Sequence, residues 1–259
     1  MTANLIFDLG ANRGDDTEYY LRKGFSVVAV EANPQLVATL EKRFARWVDD
    51  KQLTIVNIGI AAQRGEMPFY IQQNDEWSSF VPKFGVERGV HTDTIPVRTA
   101  PLADLLDEFG TPHYLKIDIE GHDDAAVASL EQSAHRPRYV SVEATVENFW
   151  QRMHDIGYRG FKYINQRWHQ SLPPVNPPRE GLFCDTQTGS SGPFGEETYG
   201  PWLTLDEFKR ERDILFNAAF RKAPGDVERI VESGQHSICG VPIDLMLPPW
   251  YDWHCKLED

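Results

Sequence analysis

The first half of the chain alternates short runs rich in Val, Ile, Leu and Phe with stretches whose apolar residues recur every three or four positions. Residues 4–9, 26–32, 53–58, 113–119 and 138–144, each bounded by Gly, Pro or Asn, read as buried strands. Between them, residues 17–23, 34–48, 101–109 and 123–131 carry helical spacing, with Pro34 and Pro101 where a first helical turn accepts proline. This order predicts an α/β fold with a doubly wound, mostly parallel sheet covered by helices on both faces. Residues 66–73 place Met67, Phe69 and Ile71 at alternate positions and can pair with residues 94–98, an excursion beside the main sheet. A helix over 146–156 and a strand over 158–165 follow, with Gly157 turning the chain between them.

From residue 171 to 201 the texture changes to Pro, Gly and Ser, including Pro173-Pro174, Pro177-Pro178 and Gly189-Ser190-Ser191-Gly192-Pro193. Such a stretch in a compact domain serves as a lid, a binding loop or a connector, and here it is expected to close over a binding site. Helical spacing returns over 204–221, with Thr204 or Asp206 as cap and Leu205, Phe208, Ile214, Leu215 and Phe216 on the apolar side. The expected organisation is a core over 1–165 and, over 166–259, a lid, loop and helical extension of the same domain.

Charge narrows the function classes. With 26 basic and 39 acidic residues, the formal charge of −13 repels nucleic acid and anionic lipid, so neither is an expected partner. No apolar run approaches the roughly 18 residues that span a bilayer. The first strand begins almost at Met1, leaving no room for a secretion leader, so the expected location is the cytoplasm. Cys184, Cys239 and Cys255 are odd in number and widely spaced, which fits a reducing compartment rather than a disulfide framework.

The segment Phe7-Asp8-Leu9-Gly10-Ala11-Asn12-Arg13-Gly14-Asp15-Asp16-Thr17 joins the first strand to the first helix. Gly10 and Gly14 permit a tight turn and close backbone approach to a ligand, and Asn12 tolerates a left-handed backbone. The glycines do not follow the dinucleotide spacing G-x-G-x-x-G, and Asp15 and Asp16 put negative charge where a pyrophosphate would be held. NAD is disfavoured and a cationic nucleoside ligand fits better. Seventeen residues past Gly14, Glu31 ends the second strand, where an acid accepts the hydroxyls of a ribose. The alternative is that Asp8 and Glu31 merely cap neighbouring helices.

Asp8-Leu9-Gly10-Ala11-Asn12-Arg13-Gly14, Val30-Glu31-Ala32-Asn33-Pro34 and Leu115-Lys116-Ile117-Asp118-Ile119-Glu120-Gly121 resemble the three motifs of the FkbM-type methyltransferases. The resemblance covers residues 4 to about 146, and its third motif is the most specific. Where such proteins usually carry a second Glu two residues after that glycine, this chain has Asp123, and His122 stands at a position the family leaves variable. The resemblance implies the seven-stranded class I methyltransferase sheet, of Rossmann-like type, with S-adenosylmethionine as ligand and usually O-methylation as reaction. It implies that Asp8, Gly10, Asn12 and Gly14 line the methionine and ribose side, Thr17 the helix start, Glu31 the ribose hydroxyls, and Asn57 and Gly59 the adenine.

Asp118, Glu120, His122 and Asp123 gather at the end of the fourth predicted strand and Glu143 ends the fifth. Ligands of open α/β sheets bind outside the carboxyl ends of the strands, so these groups should ring the same crevice as Asp8 and Glu31. Methyl transfer needs an in-line approach, and a hydroxyl acceptor must lose its proton to a positioned base. Asp118 is the first choice, with Glu120, His122 and Glu143 behind it. The same carboxylates admit Mg²⁺, although they show no metal-specific spacing, and for Asp123 a helix-start role is preferred. Lys116, inside a strand beside Asp118, reads as snorkelling or paired there rather than as a nucleophile. His236, Cys239, His254 and Cys255 match no common zinc spacing. Ser78, Ser79 and the loop 189–192 are candidate acceptor contacts, whereas Trp77, Trp150, Trp168, Trp202, Trp250 and Trp253 read first as packing residues. The expected function is methylation of a small-molecule or carbohydrate hydroxyl. An enzyme using another nucleotide, such as a dehydrogenase, and a catalytically degenerate binding protein remain the alternatives.

Overall fold

In the computed structural model, which describes residues 4–86, 89–166, 172–185, 191–220, 237–238, 241–242 and 251–258, the alternation in the first half becomes β1 (Leu5–Leu9), α1 (Asp15–Arg22), β2 (Ser26–Val30), α2 (Pro34–Arg43), α3 (Ala45–Asp49) and β3 (Leu53–Val56). The excursion follows as β4 (Gly59–Ile60), β5 (Gly65–Gln72), α4 (Pro82–Gly85) and β6 (His91–Ala100). Then come α5 (Leu102–Phe109), β7 (Tyr114–Ile117), α6 (Asp123–Gln132), β8 (Tyr139–Glu143), α7 (Phe149–Asp155), β9 (Tyr158–Asn165) and α8 (Leu205–Phe220). A two-residue pairing of β10 (Ser237–Ile238) with β11 (Val241–Pro242) precedes β12 (Tyr251–Leu257).

The main sheet has seven strands in the order β3-β2-β1-β7-β8-β12-β9, parallel from β3 to β8, with β12 antiparallel to both neighbours. Every residue of β1 and β7 is buried because both faces are covered. On one face Phe7, Leu9, Leu115 and Ile117 pack with Leu102, Leu106, Val127 and Met153; on the other Ile6, Val27 and Ala29 pack with Tyr20, Leu40 and Phe44. Strand order reverses between β1 and β7, which opens a crevice at their carboxyl ends. The excursion forms the separate three-stranded sheet β4-β6-β5 around Phe69, Ile71, Phe80 and Val97.

Three features depart from the expectations. The helix expected over 34–48 breaks at Phe44, whose backbone leaves helical geometry (φ −113°, ψ 20°) as its ring enters the core. Within the extension, β12 is an inserted strand of the central sheet, so residues 251–257 belong to the core. The supposed lid is, in its described parts, stitched to the face carrying α1. Phe194 stacks on Tyr114 with ring centroids 4.6 Å apart, and the Leu182 amide donates to the Lys23 carbonyl. Lys23 Nζ lies 2.8 Å from Glu197 Oε2, both side chains 2% exposed. Residues 171 and 186–190 of that segment lie outside the described residues.

Candidate active site

The crevice at the β1/β7 switch is a cavity of about 480 Å³. Its first wall is the glycine turn. Gly10 (φ +84°) and Asn12 (φ +48°) bend the chain back over β1, and the amides of Gly10 and Ala11 donate to the Val30 carbonyl. A Cβ on Gly10 would stand 1.8 Å from the Asp118 carbonyl oxygen, so this glycine lets the first loop lie directly on the end of β7. Gly14 faces the other way, against Phe44 and Leu40.

Glu31, 6% exposed, closes this wall at the tip of β2. Its Oε2 accepts from the Asn12 amide at 2.8 Å and its Oε1 from the Asn33 amide at 2.7 Å. Burial pushes its carboxyl up to about 7 against the pull of these two amides. Asn57 Nδ2 donates to the carbonyls of Glu31 and Ala32, tying the end of β3 to that of β2.

Behind the wall lies Asp8, fully buried, with Oδ2 accepting from Thr17 Oγ1 at 2.6 Å and Oδ1 without a hydrogen-bond partner. Burial raises its carboxyl to about 6, although Lys116 pulls the other way. Lys116 Nζ sits 3.0 Å from Asp118 Oδ2, 3.3 Å from Asp16 Oδ2 and 4.0 Å from Asp8 Oδ1. Burial opposes its charge, but Asp118, Asp16 and Asp8 outweigh that and hold the ammonium well above the ordinary lysine range. Lys116 is thus paired, as its place in the strand suggested.

Of the expected cofactor residues, Gly10, Asn12, Glu31 and Gly59 line the cavity, while Asp8, Gly14, Thr17 and Asn57 support the wall from behind. Asp118, Glu120, His122 and Glu143 all line it. Asp118 keeps 47% of its side chain accessible. Glu120 is left-handed (φ +47°), and its carbonyl accepts from Ser79 Oγ at 2.5 Å. Asp123 takes the amides of Ile119 and Gly121 at 3.1 Å each, so it holds the turn beneath Glu120 and is itself buried. His122 Nδ1 donates to the Ile60 carbonyl at 3.0 Å, which holds the ring at the cavity wall.

The sequence reading missed residues that the extension and β9 bring in. Gln166, just past β9, and Asp252 on β12 both line the cavity, as does Ser191 of the loop 189–192 that the sequence had already offered as a candidate contact. Gln166 Nε2 donates to Asp252 Oδ2. Ser191 donates from its amide and hydroxyl to Asp16 at 2.6 and 2.9 Å. Burial, then the charges of Asp118 and Glu143, drive the Asp252 carboxyl well above its usual range despite Lys116. The signal for β12 was the alternation of Tyr251, Trp253 and Cys255 with Asp252, His254 and Lys256.

Trp77 reaches the cavity from the excursion, whereas Trp150 and Trp253 meet edge to face at 4.8 Å in the core and Trp202 stacks on Tyr139. Trp168, Trp250, His236 and Cys239 lie outside the described residues. Among the described residues, no group of three or more His, Cys, Asp or Glu side chains is arranged to hold a metal ion, and no helix is long and apolar enough to cross a membrane.

The model of the methyltransferase FkbM domain matches residues 8–166, more than half of the chain. The chain belongs to the FkbM methyltransferase family. The matched span begins at Asp8 and ends at Gln166, so it holds both the glycine turn and the carboxylate cluster but not Asp252. No curated protein matches this FkbM chain. Among solved structures it is similar to the methyltransferase FkbM of Methylobacillus flagellatus KT, at 20% identity and a TM-score of 0.38, over 54% of this chain and 32% of that one. The chain therefore spans about a third of that relative's length. A precorrin-6y C5,15-methyltransferase of Geobacter metallireducens GS-15 shares 12% identity at a TM-score of 0.34 over 71% and 75% of the two chains. The MccD protein shares 7% at 0.36 over 98% and 88%.

Proposed function

We propose that this FkbM chain is an S-adenosylmethionine-dependent methyltransferase acting on a hydroxyl of a small molecule or carbohydrate. The observation that carries the reading is Glu31. Its oxygens accept the Asn12 and Asn33 amides, which fixes the carboxylate at the cavity wall where it can also take a vicinal pair of hydroxyls. The cavity volume suits a ligand of nucleoside size, and the carboxylates of Asp16 and Asp118 suit a cation. S-adenosylmethionine, when bound, supplies an electrophilic methyl group on a positively charged sulfur.

The chain's own residues do the rest. Gly10 and Asn12 shape the backbone of the ribose side, Glu31 accepts its hydroxyls, and Asn57 holds the adenine side to which Gly59 contributes. Asp118, exposed to the cavity and steadied by Lys116, receives the acceptor's proton, with Glu120, His122 and Glu143 placed around the same space. The test is release of S-adenosylhomocysteine from S-adenosylmethionine in the presence of acceptor mixtures, with thermal shifts for S-adenosylhomocysteine and NAD as the binding control. Stabilisation by NAD and none by S-adenosylhomocysteine would replace this reading with the dehydrogenase one. Binding without turnover would favour the degenerate fold. Loss of turnover in EDTA with rescue by Mg²⁺ would make the carboxylates metal ligands.

A further inference from the structure

Past the end of β7 the chain turns through two consecutive left-handed residues, Glu120 (φ +47°) and Gly121 (φ +94°). Glycine takes that backbone freely, but a long side chain resists it and keeps it only where the surroundings fix the turn. Glu120 lines the cavity, so the strained residue stands where the chemistry is placed.

Two side chains fix this turn. Asp123 holds the amides on either side of Glu120, those of Ile119 and Gly121. Ser79 holds Glu120 itself and comes from the excursion, between β5 and α4. Its Oγ donates to the Glu120 carbonyl at 2.5 Å and accepts the Val81 amide at 2.9 Å. The Ser79 backbone is anchored in turn, its amide and carbonyl both bonded to Tyr70 on β5. Ser79 is fully buried, and its one hydroxyl hydrogen points at a backbone oxygen, so it does not serve as the acceptor contact that the sequence suggested; Ser78 beside it does line the cavity.

Without that hydroxyl the Glu120 carbonyl loses the partner that sets its peptide plane, and the strained residue is free to relax. Asp118 enters the same turn two residues earlier, with its carbonyl pressed against Gly10. We propose that Ser79 is a positioning residue for methyl transfer, which clamps the Glu120 carbonyl from outside the cavity, keeps the turn left-handed and so holds Asp118 and Glu120 towards the acceptor. This rests on the methyltransferase reading and adds to it a residue from a separate sheet.

The experiment follows hydrogen exchange at the Ile119 and Gly121 amides of the full chain, turnover on the acceptor mixture, and calorimetric affinity for S-adenosylhomocysteine. Ser79→Ala should speed exchange at both amides about tenfold or more and lower kcat about tenfold or more, with S-adenosylhomocysteine affinity changed by no more than about twofold. Glu120→Gly adopts the turn without strain, so Ser79→Ala added to it should leave exchange about as slow as in Glu120→Gly alone. The proposal is overturned by exchange that Ser79→Ala leaves unchanged or speeds equally in both backgrounds. It is overturned equally by unchanged turnover, or by turnover and cofactor affinity falling together. If Ser79→Ala alone does not fold, the double variant must fold, and unfolding in both backgrounds makes the serine a general packing residue. Absence of wild-type turnover, measured first, overturns the methyltransferase reading, while exchange still decides whether Ser79 holds the turn.

Discussion

Glu31 makes the cofactor reading measurable through pH. Its carboxyl is raised from 4.5 to about 7, mainly by burial. In the ligand-free protein about nine-tenths of it is ionised at pH 8 and about one-tenth at pH 6. Ribose hydroxyls donate to the ionised form, so S-adenosylhomocysteine should bind about tenfold more weakly at pH 6 than at pH 8 and release a proton on binding at pH 6. Calorimetric titrations in two buffers of different ionisation enthalpy read both quantities. Glu31→Gln offers one accepting oxygen to two backbone amides and cannot titrate, so it should bind weakly with this pH step gone. That control separates Glu31 from Asp8, which titrates at about 6 and remains in the variant. The sign of the stability term is opposite to that of binding. A carboxyl raised on folding stabilises the free protein fully below about 4.5 and loses that contribution as pH rises through about 7, a difference on the order of 3 kcal/mol. Affinity that is flat from pH 6 to 8, or identical pH profiles for wild type and Glu31→Gln, would refute the assignment of the ribose to this carboxylate.

Asp118→Asn keeps the shape of the side chain but removes its proton acceptance, so turnover should fall by about 10² or more with little change in S-adenosylhomocysteine affinity; undiminished turnover would move the base elsewhere in the cluster. Gly10→Ala sets a methyl against the Asp118 carbonyl in a left-handed backbone, and both stability in urea and cofactor affinity should drop. An unaltered urea midpoint would show that the loop can move off β7. Lys23→Met leaves Glu197 charged and buried, at a cost of about 3 to 5 kcal/mol in urea unfolding, whereas a loss under about 1 kcal/mol would mean that the strap carrying Glu197 is not held by that pair.

The parallel half of the sheet was legible because its strands are buried on both faces, and such strands announce themselves as unbroken apolar runs. The glycine turn was legible for a related reason: Gly10 is required by backbone geometry at one position, whatever the ligand. Readings that depended on where a side chain points were less secure. Gly14 leaves the room that Leu40 and Phe44 fill, and the helix that periodicity ran on to residue 48 breaks where the Phe44 ring enters the core. Pro, Gly and Ser between residues 171 and 201 suggested looseness, yet Phe194 and Glu197 anchor that stretch through contacts with Tyr114 and Lys23, residues far away in sequence. Asp252 was beyond local reasoning for the same reason. Its place opposite Glu143 follows from strand pairing across more than a hundred residues.

The insertion of β12 between β8 and β9 gives the two sides of the cavity different histories. A chain made from its amino terminus has Gly10, Asn12 and Glu31 available within its first few dozen residues, and the strands that carry them are neighbours in sequence as well as in space. The opposite side exists only once residues 251–257 have entered a gap that β8 and β9 must keep open. Those two strands share no hydrogen bonds with each other in the finished sheet, so until the last strand arrives their facing edges are bare and open to pairing with another chain. A growing polypeptide therefore has a period in which the side of the cavity holding Glu31 can form while the side holding Asp252 is an unprotected seam.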